Sequence, residues 1–397
     1  MANHRFSRVL GGEALGATIY SLVFTFYTIA YSLDFSIIWV RIGYSLFYAI
    51  SIWYIIKALL MKGKSPFIRI LTILLSLFIL YGVLRMLQGT EGWSHDTDPT
   101  KFLRIHLVSI MPIYAFYYFG KNNEISIDWF AFMFLVFVFD AYLLYNSMRS
   151  SLLESVLSAD EGFTNNSGYL WASLLPVIAF LHKRKTIQYL SLGLIMFFVL
   201  TCFKRGAIVV SIAAILFFLL MSMRTSKLSS KVLVVAFSIG ILFFLLNYFD
   251  SLIENNDFFA YRLDITREGD SSGRNVIFSK IYKYLFSVEN GRHFILGNGA
   301  FGTVKLFGYE AHNDWLEYAI DMGIVGLILY CIYWIRISKN YFAYSKFNSN
   351  NPILIAMGMV IIVNFLRSFF SMSLDDMSFF SAAVLGFTMA KADVERN

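Results

Sequence analysis

The chain has 397 residues, of which 58% are hydrophobic and only 15% charged, against about 45–50% and 25% in soluble domains. With 41 Phe and 24 Tyr but only 5 Pro, it cannot hide its apolar surface in a water-soluble core, which makes it a polytopic membrane protein. The formal charge of +7 has to be read by position before it points to any partner. Cys202 and Cys331 are the only cysteines, which excludes a disulfide framework and a cysteine-based zinc site.

A span needs about 20 apolar residues to cross roughly 30 Å of hydrocarbon. Stretches of that kind fall at 14–33, 36–60, 68–87, 102–119, 127–146, 167–182, 187–203, 206–223, 231–249, 313–335, 351–372 and 376–391. All must be helices, because an open strand leaves its backbone unsatisfied in lipid. Cations mark every second connection: Arg5 and Arg8, then Lys62, Lys64 and Arg69, Lys121, Lys183–Lys185, Arg224 with Lys227 and Lys231, Arg336 with Lys339 and Lys346, and finally Lys391 and Arg396. By the positive-inside rule this places both termini in the cytoplasm. Much of the basic excess is thus a topology signal, and nucleic acid is discarded as a partner. The amino terminus has no signal-peptide pattern, so the first helix is expected to stay.

Two places stand out along the chain. Residues 187–223 are almost one apolar run, broken only at Lys204-Arg205-Gly206, yet both flanks are basic. The run must cross twice and turn at Lys204-Arg205 on the outer face, where the topology rule disfavours cations. Residues 250–312 form one long external segment, too long for an idle connection. Within it, Ser271-Ser272-Gly273 is placed to cap a short amphipathic helix over Asn275–Phe286, with Val276, Ile277, Ile281 and Leu285 at helical spacing. The expected architecture is therefore all-α: about 12 transmembrane helices with one large, partly helical periplasmic loop. Helices one to nine occupy 1–249, the loop 250–312, and helices ten to twelve 313–397, in one integral membrane domain.

Arg205 reads either as a snorkelling residue at a helix end or as an anion ligand, since guanidinium offers a rigid fork matched to phosphate oxygens. Arg274 opens the proposed loop helix, where free N–H groups already favour an anion; the competing reading is a solvated loop side chain. His312 precedes the tenth span and suits acid–base work or simply a helix end at the water boundary. Asn313, Glu317 and Asp321 follow at i, i+4 spacing and share one helix face, which is not expected to face lipid. Gly297-Asn298-Gly299-Ala300-Phe301-Gly302 matches G-x-G-x-x-G, but no βαβ unit surrounds it, so a tight loop is the better reading. Arg41, Arg85, Arg104, His106, Asp140 and Arg367 all fall in the outer halves of their spans. With Arg205 and Glu317 they describe a polar cavity opening outward. A transporter would place its polar site near the midplane between related halves, and a structural scaffold would give the external Arg and His residues no purpose. An enzyme acting on a lipid-borne substrate fits the pattern.

Lys204-Arg205-Gly206, Ser272-Gly273-Arg274, Leu296-Gly297-Asn298-Gly299, and above all His312-Asn313-Asp314-Trp315-Leu316-Glu317 with Gly323-Ile324-Val325-Gly326 resemble the bacterial O-antigen polymerase and O-antigen ligase family. The resemblance implies a membrane-embedded, inverting, metal-independent glycosyltransferase of the C type, without a cofactor, in the bacterial inner membrane. Its donor would be a glycan on undecaprenyl pyrophosphate at the periplasmic face. By this resemblance Arg205 and Arg274 grip the pyrophosphate as it leaves, and His312 meets the acceptor hydroxyl as general base. Lys204, Asn313, Glu317 and Arg367 would bind pyrophosphate or glycan. Lys204 beside Arg205 leaves two cations for one family position. The partners on this reading are the lipid-linked oligosaccharide and membrane lipid, with a chain-length regulator as an optional third. Polymerase and ligase share the donor chemistry; the Ala311–Gly326 stretch is closer to polymerases. A lipid-linked sugar flippase is the more distant alternative.

Overall fold

The computed structural model of the chain describes residues 14–61, 65–87, 98–157, 167–202, 204–224, 240, 247, 274–287, 291–346, 351–374 and 377–395. The described residues contain helix and no strand. Long helices come first: α1 (Leu15–Ser32), α2 (Ile37–Leu60), α3 (Pro66–Leu87), α4 (Pro99–Lys121) and α5 (Ile127–Leu157). The sixth predicted span is broken into α6 (Ser167–Ala172), α7 (Leu175–Ile178) and a 3₁₀ turn (Ala179–Leu181), with Pro176 at the start of α7, a position where a missing N–H is harmless. Then follow α8 (Lys185–Thr201) and α9 (Arg205–Met223), separated at Cys202–Lys204 as the apolar run around Lys204-Arg205 predicts.

Among the described residues seven helices are long and apolar enough to cross a membrane: α1 to α4, residues 127–148 of α5, α9, and a helix near the end of the chain, Pro352–Phe370. Two shorter apolar segments, Ser167–Leu181 and Lys185–Thr201, accompany them. This makes a multi-pass membrane protein and stops short of the twelve spans expected. The predicted span at 231–249 lies outside the described residues, as do the first part of the loop (250–273), the cap at Ser271–Gly273, and the basic positions Arg5, Arg8, Lys62, Lys64, Lys227, Lys231 and Arg396.

Four short helices form a layer over one end of the bundle: α10 (Arg274–Leu285), α11 (Gly291–Leu296), α12 (Gly302–Phe307) and α13 (Asp314–Asp321). The first is the amphipathic loop helix, shifted by one residue. Ile281, Ala311, Leu316 and Ile320 form a small apolar core between α10 and α13, with Ile277, Phe307 and Tyr284 packed around it. The layer is anchored to the bundle by Phe301 against Phe102 of α4, centroids 5.4 Å apart, and by the Tyr81 hydroxyl, which donates to the Leu296 carbonyl.

The predicted span at 313–335 is not one helix. It is α13 and then α14 (Gly323–Ser345), broken at Met322. Gly323 adopts φ +65°, in the left-handed region that favours glycine. A Cβ there would run into the Ile295 carbonyl. Asp321 O, at the end of α13, accepts the Gly299 N–H at 2.9 Å. Hence α13 belongs to the covering layer, and the apolar stretch that follows starts at Gly323 and runs ten residues past the expected end.

After α15 (Pro352–Phe370), α16 (Phe379–Val394) closes the bundle. Phe379 through Ala390 are buried without interruption, as expected of a helix apolar on all sides. It packs along α4, where Gly386 sits directly against the Ile113 carbonyl and a Cβ on Gly120 would lie 2.9 Å from Ala390. Phe24, Phe47, Phe116 and Tyr20 surround Phe379, with Phe24 stacked on it at 4.2 Å. At the end away from the layer, Lys183 Nζ bonds Asp128 at 2.9 Å and Lys391 Nζ bonds Asn123 at 2.6 Å.

Candidate active site beneath the covering layer

The site is built around the start of α13. His312 has φ +50°, a conformation that costs a non-glycine residue on the order of 1–2 kcal/mol. The three residues after it hold it there, because each is bonded to the end of α15 or the turn that follows. Asn313 caps α13 by accepting the Leu316 N–H at 3.2 Å, and its Nδ2 donates to the Phe369 carbonyl at 3.3 Å. Asp314 is buried and accepts the Ser373 N–H at 2.8 Å, the Leu374 N–H at 3.1 Å and the Tyr330 hydroxyl at 2.6 Å. Trp315 Nε1 donates to Ser368 Oγ at 2.9 Å while its ring stacks on Phe369 at 5.5 Å. A buried carboxylate with this many donors is well satisfied. The motif therefore works as a clamp that leaves only His312 pointing elsewhere.

What His312 meets is positive. Burial lowers its pKa from the usual histidine value to about 4, and the charges of Lys204 and Arg274 lower it further toward that figure. At neutral pH the ring is an uncharged acceptor. Its Nδ1 lies 3.8 Å from Glu310 Oε2. Tyr169 of α6 stands between further cations: the Arg367 guanidinium carbon is 4.9 Å from its ring centre and Lys204 Nζ is 5.9 Å away, both within cation–π range. Arg274 is also near enough for its charge to act on Tyr169. The tyrosine hydroxyl donates to the Phe370 carbonyl at 3.4 Å. Gly206 is required beside it, since any Cβ there would collide with the Tyr169 hydroxyl.

Three helices begin at this cluster: α9 at Arg205, α10 at Arg274 and α13 at Asp314. Helix amino termini present free N–H groups and the positive end of the helix dipole. Together with Lys204, Arg274 and the buried Arg367, they make a concentrated positive field in a partly buried site. That arrangement holds a multiply charged anion, with an uncharged imidazole at its edge.

The side of α13 turned to the Gly297–Gly302 loop is different. Glu317 is buried and accepts hydrogen bonds from the Thr303 hydroxyl and the Ala311 N–H. Thr303 N–H also donates to Asp321 Oδ1 at 3.2 Å. Burial first, and the neighbouring Asp321 second, push the Glu317 carboxyl well above the usual carboxylate range. Two carboxyls one turn apart are thus bridged by one threonine, and they tie the Gly297–Gly302 loop to the helix. The loop is completed by Asn298 N–H to Ile320 O at 2.8 Å and Tyr284 hydroxyl to Asn298 Oδ1 at 2.6 Å. Gly297 and Gly299 have φ +76° and +83°, as expected of a tight turn.

Of the residues singled out in the sequence, Lys204, Arg274, His312 and Arg367 are brought together. Arg205 is half-buried in the first turn of α9, between Lys204 and Gly206. Asn313 acts on the backbone, and Glu317, in the first turn of α13, faces Thr303. Asp140 is elsewhere, accepting from Thr25 of α1 at 2.9 Å, and His106 is boxed between Phe78 and Phe102 at 4.1 and 4.2 Å. The intramembrane charges therefore do not share one cavity. Tyr169, Glu310 and the bracing role of Asp314 were not read from the sequence. Tyr169 gives no signal within an apolar run. Asp314 is legible only as an acid in a first turn. Among the described residues no group of three or more His, Cys, Asp or Glu side chains is placed to hold a metal ion.

The family model described as O-antigen ligase matches residues 190–331. No curated protein matches the chain. The matched segment runs from α8 into α14, so it contains Lys204, Arg205, Arg274 and His312 and excludes Tyr169 and Arg367. Over these residues the chain is similar to that family, in keeping with the motifs at Lys204–Gly206 and His312–Glu317.

Proposed function

We propose that the protein is an inner-membrane glycosyltransferase that takes a glycan from undecaprenyl pyrophosphate at the periplasmic face and joins it to a second lipid-linked glycan. It would thus be an O-antigen polymerase; transfer to lipid A core, the ligase reaction, uses the same donor chemistry and is the alternative. The single observation that carries the proposal is the grouping of Lys204, Arg274 and Arg367 around Tyr169, with uncharged His312 at its edge. A diphosphate leaving group needs fixed positive charge where its negative charge develops. In this orientation the covering layer is periplasmic and both termini are cytoplasmic.

The acceptor hydroxyl attacks the anomeric carbon from the face opposite the pyrophosphate. A new carbon–oxygen bond forms, the bond to the phosphate oxygen breaks, and the electron pair leaves with undecaprenyl pyrophosphate, so the anomeric configuration inverts. The hydroxyl proton passes to the His312 ring and from there to solvent. An imidazole with a pKa of about 4 is uncharged but a weak base. Burial is the larger cause, and donor binding relieves the smaller one, because pyrophosphate neutralises the two cations that add to it, so the histidine is a stronger base with the donor in place. Arg205, in the first turn of α9, and the free N–H groups of that turn would complete the grip on phosphate.

The test uses the purified chain in lipid with undecaprenyl-pyrophosphate-linked repeat units, with and without lipid A core, and products resolved by size. A ladder without core is the expected result. A product that requires core makes the protein a ligase, and no glycan product under either condition overturns the proposal.

A further inference from the structure

One helix of the covering layer buries none of its residues. Every position of α11 is exposed, and its last three, Phe294, Ile295 and Leu296, are large and apolar, with 37%, 53% and 51% of their surfaces free. Isolated apolar residues on a surface need no explanation, but a contiguous patch marks a contact. The neighbouring α10 behaves differently, turning Asn275, Ser279, Lys280 and Lys283 outward.

The position of α11 says what covers that patch. α3 has 22 residues, about 33 Å at 1.5 Å per residue, and it is one of the helices able to cross a membrane. It therefore matches the roughly 30 Å of hydrocarbon, and its end at Leu87, on the side of the covering layer, stands near the hydrocarbon edge. The Leu296 carbonyl is bonded by Tyr81, six residues short of that end, or about 9 Å. A helical tyrosine also leans back toward the amino terminus of its helix, here into the membrane. Beside Tyr81, the side chains of Leu80, Val83, Leu84 and Leu87 are exposed, so the lipid-facing surface of α3 runs up to α11.

The backbone meets a second requirement of that depth. Irregular chain survives in lipid only where its polar groups are bonded to protein. Where α11 ends, the Gly297 N–H donates to the His293 carbonyl at 2.8 Å, the Asn298 N–H to the Ile320 carbonyl at 2.8 Å and the Gly299 N–H to the Asp321 carbonyl at 2.9 Å. The Leu296 carbonyl takes the Tyr81 hydroxyl. The exit from α11 is thus closed in its polar groups and open in its apolar ones.

We infer that α11 is seated in the lipid leaflet on the covered side, with Phe294, Ile295 and Leu296 among acyl chains. Arg292, exposed in its first turn, has the length to reach the headgroups. Lipid is then a partner of the covering layer itself. Because α11 leads directly into the Gly297–Gly302 loop that holds α13, the bilayer sets the height at which α13 stands over the bundle. The inference needs only that the chain spans a membrane, and it stands apart from the proposed reaction.

Fluorescence quenching on the full chain in phosphatidylcholine vesicles tests it. Cys202 is buried, so in a Cys331→Ala background a bimane label goes to one introduced cysteine. With Ile295→Cys the signal should be lost when the acyl chains are brominated and unchanged by iodide in the water. That result should match Leu84→Cys on α3 and be the opposite of Lys283→Cys on α10. Leu296→Cys gives an independent second reading, and both side chains are exposed, so neither substitution removes a buried contact. Quenching of Ile295→Cys by iodide, as at Lys283→Cys, would hold the layer clear of the membrane and overturn the inference. Quenching by neither agent would mean that protein covers α11, a second copy of the chain included, and overturns it too.

Discussion

Two sides of α13 are built from similar residues and do opposite things. On the side turned to the Gly297–Gly302 loop, Glu317 of the first turn and Asp321 of the last are closed around Thr303, and their bonding capacity goes to holding that loop. At its amino end, Asn313, Asp314 and Trp315 are equally closed, onto the end of α15 and the turn after it, but they hold in place a histidine that is not closed. Polar residues within a few positions of one another thus divide into bracing and chemistry. The division follows from whether the neighbours complete a side chain's bonds or leave it facing charges that it does not bond, as His312 faces Lys204 and Arg274.

The sharpest way to break that contrast is to remove the field. Arg274→Met or His312→Ala should lower glycan transfer by about 10²–10³-fold, the loss typical of one preorganised transition-state contact, while the thermal midpoint stays near wild type. If either variant keeps full turnover, the amino end is only a second brace. On the side turned to the glycine loop the effects should reverse: Glu317→Ala leaves Thr303 and the Ala311 N–H without their acceptor and should cost about 3 kcal/mol of stability, read as a fall in thermal midpoint. Glu317→Gln is expected to be mild, because burial already favours the protonated carboxyl, and a large effect on turnover rather than stability would move Glu317 into the chemistry.

Gly323→Ala tests the break that separates α13 from the following apolar helix. A left-handed φ and the Ile295 carbonyl both oppose a side chain there, so a loss of roughly 2 kcal/mol is expected. A pH profile reads the field itself. The acid limb of kcat/KM should lie near the free His312 value of about 4, and that of kcat should be higher, since bound pyrophosphate relieves the cations. Lys204→Met removes a charge that disfavours the imidazolium, so the kcat/KM limb should move up toward the ordinary histidine value of about 6.5. A limb that does not move would detach Lys204 from His312. The smallest change expected is Tyr169→Phe, which keeps the ring between its two cations and loses one long hydrogen bond, for at most a few-fold loss in rate.

The sequence made the helices legible because lipid imposes a single requirement on each span, and apolar length meets it or does not. α1, α2 and α9 begin and end within a residue or two of expectation. The turn at Lys204-Arg205 followed from charge parity, and the loop helix from amphipathic spacing. Where the reading failed, the same signal carried two meanings. Asn313, Glu317 and Asp321 at i, i+4 do share a face that avoids lipid, but hydropathy says only what a face avoids and not what it meets. Glu317 and Asp321 meet Thr303 beside the glycine loop, Asn313 meets the Phe369 carbonyl, and the apolar run begins after them. An Asn before an acid-rich first turn is a helix-start signature, and it marks this boundary better than hydropathy does. Tyr169 was out of reach altogether: its place between Lys204 and Arg367 joins α6, α9 and α15, a proximity no local pattern encodes.

The position of α16 bears on how the molecule is made. Buried almost all round and seated by Gly386 against the Ile113 carbonyl, it is the pillar on which α1, α4, α5 and α15 close, yet it leaves the ribosome after all of them. The earlier helices must therefore wait in the bilayer as a loose, unlatched group, with Phe24 and Phe116 missing their partner at Phe379. Only when the final helix arrives can the bundle lock. Nascent chains stalled before Phe379 should thus be targets for membrane proteases, whatever the state of the residues that bind substrate.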